Sequence, residues 1–364
     1  MNTTYGFWIV GPCCGERRLI DWSAAFAAYA ALDERADVQR EAYLSAFTFG
    51  EDFRQHLESN GTTKGFDGVC WGPWLWFDID RTEHESETAR RDTARLALSL
   101  VERYRFSDDD LLIFFSGSKG FHVGMPTAAF GPEPSPTFHR GARKFAEGLA
   151  EAAGVSIDTG IYDKVRAFRA PNSRHAKTGL YKRPLSLDEL VRLSIATIRE
   201  RAQEPRPFDV PDFVGRHQRN DQAVADWQAA VALVAREAEA NAQRRANGTA
   251  KLNRGTLELI RSAEPIAVGD RHRLLFSAAA NLAECDCPPE LAHQLLTEAG
   301  RDCGLPPAEV KRQIDCGLQH VHQQSTANGS PSAIQPNQHT AEATTAPPGK
   351  LFGESDGGYY HAGY

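Results

Sequence analysis

The chain has 364 residues, 41% of them hydrophobic and 24% charged, with a formal net charge of −7. That length can bury a full core and form two domains, and no apolar run approaches the roughly 18 residues of a membrane span, which excludes a membrane-spanning class. The acidic balance excludes a general attraction to nucleic acid or membrane and leaves any such binding to a local basic patch.

The start, MNTTYGFWIVGPCC, has neither a basic leader region nor a long apolar run, so no signal peptide is expected. Seven cysteines, an odd number, then point to reduced thiols and a cytoplasmic protein. The run WLWFDIDRTE, Trp74 to Glu83, predicts a strand. Side chains alternate along a strand, so Leu75, Phe77 and Ile79 are expected to face a core and Trp76, Asp78 and Asp80 the other side. Two like charges on one face repel and resist desolvation. They are tolerated at a wet strand end, or where a hard divalent cation such as Mg²⁺ sits between the carboxylates. The pair alone leaves both readings open.

The run LLIFFSGSKGFHVGMP, Leu111 to Pro126, predicts a buried strand, a turn of small residues and a returning strand. Phe121, Val123 and Met125 are expected on one face of the return and His122 on the other. Ser116, Lys119 and His122 then surround the hairpin tip, where exposed N–H groups, an ammonium and an imidazole suit an anion such as a triphosphate. A solvated hairpin with an incidental histidine is the alternative. In GVSIDTGIYDKVRAFRAPNSRHAKTGLYKRPLS, Val155 and Ile157 alternate with Ser156 and Asp158, predicting a short strand that ends at Asp158. Seven cations follow from Lys164 to Arg183 with no acid between them, interleaved with Phe168 and Tyr181. This is the local patch for phosphate groups.

Pro205, Pro207 and Pro211 punctuate the chain after this mixed region, which is taken as a domain over 1–206. A linker and helix are expected over 207–255 and a helical unit over 256–324. Val224, Trp227, Val231 and Val234 recur at helical spacing, as do Leu274, Leu275, Ala278, Ala279 and Leu282. NAQRRANGTAKLNRGT reads as a polar break between helices. Cys285, Cys287, Cys303 and Cys316 have poor metal-ligand spacing and are expected to be buried free thiols. The composition of 325–364 cannot support a core and predicts a disordered tail.

Together, Asp78, Asp80 and Asp158 with an anion-binding hairpin and a basic loop are what two-metal nucleotidyl transfer requires. The three runs, in order, resemble the archaeo-eukaryotic primase superfamily, the family of small catalytic primase subunits and primase-polymerases. Its hhhDhD motif is seen as LWFDID and its S-x-x-x-G-x-H motif as SGSKGFH. A hydrophobic run ending in Asp, then an Arg and S-x-H-x-K-T-G, is seen as SID, AFRAPN and SRHAKTG. The resemblance covers about Phe77 to Lys182. It implies an α+β fold, with an RRM-like sheet bearing the site and an N-terminal α/β unit beside it. It implies two Mg²⁺ or Mn²⁺ ions on Asp78, Asp80 and Asp158. It places Ser116, Lys119, His122, Arg169, His175 and, more weakly, Lys177 at the phosphates of an NTP or dNTP, on a single-stranded DNA template. No cysteine cluster interrupts the motifs, so the zinc of many small primase subunits is not carried over. VGDRHRLLFSAAANLAE and the helical runs after it resemble the primase C-terminal modules of plasmid and phage proteins, with Gly269, Arg271 and His272 at the opening. A generic helical bundle is the alternative, and a helicase or another replication protein is the alternative partner to template for this unit. A catalytically inactive primase-like DNA-binding protein and a DxD glycosyltransferase are the competing functions. The glycosyltransferase would predict neither SGSKGFH nor SRHAKTG.

Overall fold

The computed structural model describes residues 2–212, 219–246, 251–261 and 271–326. Gly269 and the tail beyond Thr326, whose expected disorder was part of the sequence reading, lie outside the described residues. The described residues fall into two units, one up to Ala235 and one from Arg236. The molecule is mixed α+β, as expected. No described helix is long and apolar enough to cross a membrane.

In the first unit, strands β1 (Tyr5–Val10), β2 (Arg18–Asp21), β3 (Ala42–Ser45), β4 (Thr48–Phe49) and β5 (Cys70–Trp71) belong to a six-stranded sheet. Its order is β5-β4-β1-β3-β9, with β2 on β1; β9 is Ala167–Arg169, contributed from far along the chain. Helix α1 (Trp22–Ala31) starts where the Asp21 side chain accepts the Ala24 N–H, satisfying a donor that the first helical turn leaves free. Helix α2 is Glu51–Asn60.

The second sheet holds β6 (Trp74–Ile79), β7 (Leu112–Phe115), β8 (Phe121–Pro126) and β10 (Arg183–Leu185) in the order β10-β7-β8-β6, all antiparallel. Helix α3 (Ser86–Tyr104) buries Ala89, Leu96, Ala97 and Leu100, and α4 (Phe138–Ala152) buries Phe138, Ala142, Phe145 and Leu149. This three-and-four spacing forms the apolar stripes that pack on the sheet. Phe77, Phe114 and Phe121 are fully enclosed, each contributing about 1.5–3 kcal/mol by leaving water. Short helices α5 (Leu187–Arg192) and α6 (Ile195–Arg201) follow β10.

Three sequence expectations change here. Trp76 was expected on the polar face, but it is buried against Phe26, Phe114 and Phe168, because α1 and the first sheet cover that side. Residues 155–158 form no strand. The segment expected to be a polar break is helical up to Ala246, the end of α7 (Asp221–Ala246). The buried seam of α7 is Ala223, Trp227 and Ala230, and Val231 is 42% exposed. Trp227 packs on Phe130, Phe138 and Phe145, and Asp226 accepts from Arg103 and Tyr104. The start of this helix therefore belongs to the core of the first unit.

The second unit contains α8 (Arg254–Arg261), α9 (Arg271–Glu284), α10 (Pro289–Asp302) and α11 (Pro307–Thr326). Leu259, Leu275, Ala279, Leu296, Val310 and Ile314 form its core, in line with the helical spacing of the sequence. All seven cysteines are free thiols. Of the four in the helical part only Cys303 is buried; Cys285, Cys287 and Cys316 are half-buried, which corrects the expectation for those three. His272 of α9 lies 2.8 Å from Glu309 of α11.

Candidate functional site

The antiparallel register sets Asp78 of β6 directly opposite His122 of β8, and His122 opposite Phe114 of β7. Directly opposed residues share a face, so the carboxylate and the imidazole are neighbours. His122 Nε2 lies 3.5 Å from Asp78 Oδ1. Neither Asp78 Oδ1 nor His122 Nδ1 has a hydrogen-bond partner. Burial, then the charges of Asp80 and Asp158, push the Asp78 carboxyl up to about 8, against partial relief from Lys182 and Arg166. Burial, then the cations Lys182 and Arg169, hold His122 well below its usual range. The imidazole is therefore neutral at pH 7.

Asp80 stands just past the end of β6, exposed, with Lys119 Nζ 3.4 Å from its Oδ2. The turn that brings Lys119 there depends on Gly120, where a Cβ would overlap Asp80 Oδ1 and crowd Ile79 O. Ser116 Oγ accepts from the N–H groups of Ser118 and Gly120. Its first job is thus to staple the hairpin turn, although it also lines the cavity.

The third run reaches the site from two directions. Asp158 follows an extended segment and donates its N–H to Asp78 O at 2.8 Å, while its side chain accepts from Gly160 N. It is exposed and does not line the cavity. Arg169, on β9 of the first sheet, donates to Glu41 Oε1 at 3.0 Å and to Tyr43 Oη at 3.2 Å. Burial raises the Glu41 carboxyl, but the hydrogen bonds from Tyr43 and Arg169 outweigh it and hold Glu41 below its usual value. The SRHAKTG loop is tied down by Ser173, which donates to Ala42 O and Ala170 O, and by Thr178, which donates to Gly117 O of the hairpin. His175 Nδ1 accepts from the N–H groups of Lys177 and Thr178, which leaves Nε2 as the donor of the neutral ring. Burial, then the Arg169 charge, lowers its pKa.

Asp78, Asp80, Ser116, Lys119, His122, Arg169 and His175 line one cavity of about 310 Å³. Lys177 is exposed and does not line it. A larger cavity, about 470 Å³, carries none of the candidate residues. Sequence reasoning missed Tyr43 and Cys13, which also line the site. Tyr43, on β3, sits two residues after Glu41, which precedes the strand, and only the pairing of β3 with β9 reveals that Arg169 lies beside them. Nothing in the sequence signalled Cys13. Arg166 and Lys182 were counted only as part of the cation run. Arg166 lines the cavity, whereas Lys182 is buried over Phe168 at 4.1 Å and donates to Arg169 O.

Among the described residues, no group of three His, Cys, Asp or Glu side chains stands in metal-ligand position. The fit for a cation is therefore partial. Asp78 Oδ1 is an unpartnered buried acceptor, and Asp80 is a second carboxylate on the same cavity wall.

No family model matches the sequence, and no curated protein matches it. A solved structure described as the crystal structure of primase RepB′ aligns over 90% of this chain and 96% of its own, at 12% identity and a TM-score of 0.33. A likeness that shallow carries no argument about activity.

Proposed function

We propose that this chain is a template-directed nucleotidyltransferase, a primase or primase-polymerase that joins NTPs or dNTPs on single-stranded DNA with two divalent cations. The observation that carries this reading is the composition of one cavity. Carboxylates from β6 meet Lys119 and His122 from the hairpin and Arg169 and His175 from beyond residue 165, around a space of about 310 Å³. Side chains so far apart in sequence have no packing reason to bring acids and phosphate-binding groups to one wall.

In this reading Asp78 and Asp80 hold cations, with Asp158 supplied from the adjoining loop. Bound Mg²⁺ or Mn²⁺ supplies charge neutralisation at the transferred phosphate and acidifies the attacking 3′-hydroxyl. Arg169, His175 Nε2–H and Lys119 donate to triphosphate oxygens and steady the leaving pyrophosphate. Arg169 is held ready by Glu41 and Tyr43, so little ordering is left for the moment of binding. His122, neutral and mostly enclosed, offers a hydrogen bond without adding a charge beside Asp78.

One observation favours a second reading, a primase-like DNA-binding protein without catalysis: the described residues hold no three-ligand group. De novo synthesis on single-stranded DNA, with NTPs and dNTPs in turn and Mg²⁺ or Mn²⁺, separates the two. Product that disappears in Asp158→Asn supports the enzyme. DNA binding with no product under any of these conditions supports the second reading.

A further inference from the structure

We infer that Arg81, oriented by Asp92, is a positioning residue that replaces a missing strand and sets where Asp158 meets Asp78 and Asp80. This rests on the reading of those carboxylates as cation ligands.

The expected strand before Asp158 is absent, yet the segment is held as a strand would be. In extended chain, the N–H and C=O of a residue point to one side, and residues i, i+2 and i+4 share that side. Ser156 and Asp158 stand in this relation, and Gly154, at φ +64, is the turn that ends α4 before them. Arg95 Nη1 donates to Gly154 O at 3.0 Å, Arg81 Nη2 donates to Ser156 O at 3.0 Å, and the Asp158 N–H donates to Asp78 O at 2.8 Å. A neighbouring strand would offer a backbone donor to Ser156 O, and here the Arg81 guanidinium does so, while Arg95 holds the turn at Gly154.

Arg81 also donates through Nη1 to Asp80 O at 2.7 Å. One guanidinium thus touches both the segment that bears Asp80 and the segment that bears Asp158. Asp92 of α3 aims it: Asp92 Oδ2 accepts from Arg81 Nη2 at 2.7 Å, and its Oδ1 lies 3.5 Å from Arg95 Nη2. The Arg81 and Asp92 side chains are only 18% and 12% exposed. Arg81 does not line the cavity, so its effect passes through the two aspartates. A lysine has no planar fork and cannot make these contacts together.

The test is titration of the full chain with Mn²⁺ alone, reading free Mn²⁺ by electron paramagnetic resonance. Arg81→Lys and Asp92→Asn are each compared with wild type and with Arg90→Ala. Arg90 is a control clamp on the same helix: it donates to Leu190 O and Val191 O, away from the site. Partners that orient metal ligands are worth roughly tenfold to a hundredfold in affinity, and that loss is expected in Arg81→Lys and Asp92→Asn. Arg90→Ala should lower the melting temperature and leave Mn²⁺ affinity at the wild-type value. Wild-type Mn²⁺ affinity in folded Arg81→Lys or Asp92→Asn overturns the inference and leaves the cation reading standing. If wild type itself takes up no Mn²⁺, the cation reading fails and the inference with it.

Discussion

At the scale of single residues, Asp78 is a group the native state holds at an expense. Its carboxyl is raised to about 8 by burial and by the charges of Asp80 and Asp158, against about 3.9 in an unfolded chain. Between those values the native state holds a proton that the unfolded chain has released, so stability falls as pH rises through this window. Asp78→Asn removes that slope. The variant is expected to be more stable than wild type at pH 8 by on the order of 2–4 kcal/mol, with the gap closing toward pH 4. Denaturant melts at pH 5 and pH 8 read this; an equal gap at both would show that Asp78 is not raised. His175→Ala is expected to lose one charge-assisted phosphate contact, about 1.5–3 kcal/mol, or roughly tenfold to a hundredfold in nucleotide affinity. Single-stranded DNA binding should hardly move, and a loss confined to DNA would put the loop against the wrong substrate. Alternation marked Asp78 and Asp80 as one face of a strand and His122 as the polar face of another, and the pairing of β6 with β8 is what sets Asp78 opposite His122. Lys182 was not legible in the sequence. A lysine in a run of cations reads as solvated, and only the closing of two sheets over Trp76, Phe114 and Phe168 buries it.

At the scale of elements, the hairpin was visible in the sequence because a buried strand, a turn of small residues and a returning strand are all local features. What the sequence could not show is how closely the turn meets β6. Gly120→Ala drives a Cβ into Asp80 Oδ1. It should therefore shift Asp80 and Lys119 and cut nucleotide incorporation at least tenfold, a loss of about 1.4 kcal/mol or more in transition-state stabilisation, and lower the melting temperature, because the backbone oxygen of Ile79 must also give way. Activity close to wild type would mean the Asp80 position is not critical. The segment before Asp158 had the alternation of a strand but became an extended loop. The partner of its Ser156 carbonyl is the side chain of Arg81, which no periodicity reveals. For α7, the spacing of Val224, Trp227 and Val231 named a helix correctly but misplaced its buried seam. Burial stops at Ala230, and which side of a helix meets a core is decided by the partner, here α4.

At the scale of the whole molecule, that seam bears on how the chain can be divided. A chain ending at Arg206 loses Trp227 from its place among Phe130, Phe138 and Phe145. Removing such a buried tryptophan costs about 3–5 kcal/mol, so this shortened chain is expected to fold poorly. One ending at Ala246 keeps the core and should extend primers. It should also lose most de novo priming, because initiation must hold two free nucleotides on a template at once, and a tethered helical unit lowers that barrier by making a second contact effectively intramolecular. Priming by the shortened chain at the full rate would assign the helical unit another task, such as binding a replication partner. The central claim, that the cavity on β6 and the hairpin performs nucleotidyl transfer, is tested most directly by primer extension on a single-stranded template with Mn²⁺, comparing wild type with Asp78→Asn. Extension by wild type, lost in an Asp78→Asn variant that melts no lower, is the predicted result. Equal extension by both, or none by wild type with either NTPs or dNTPs, would contradict it.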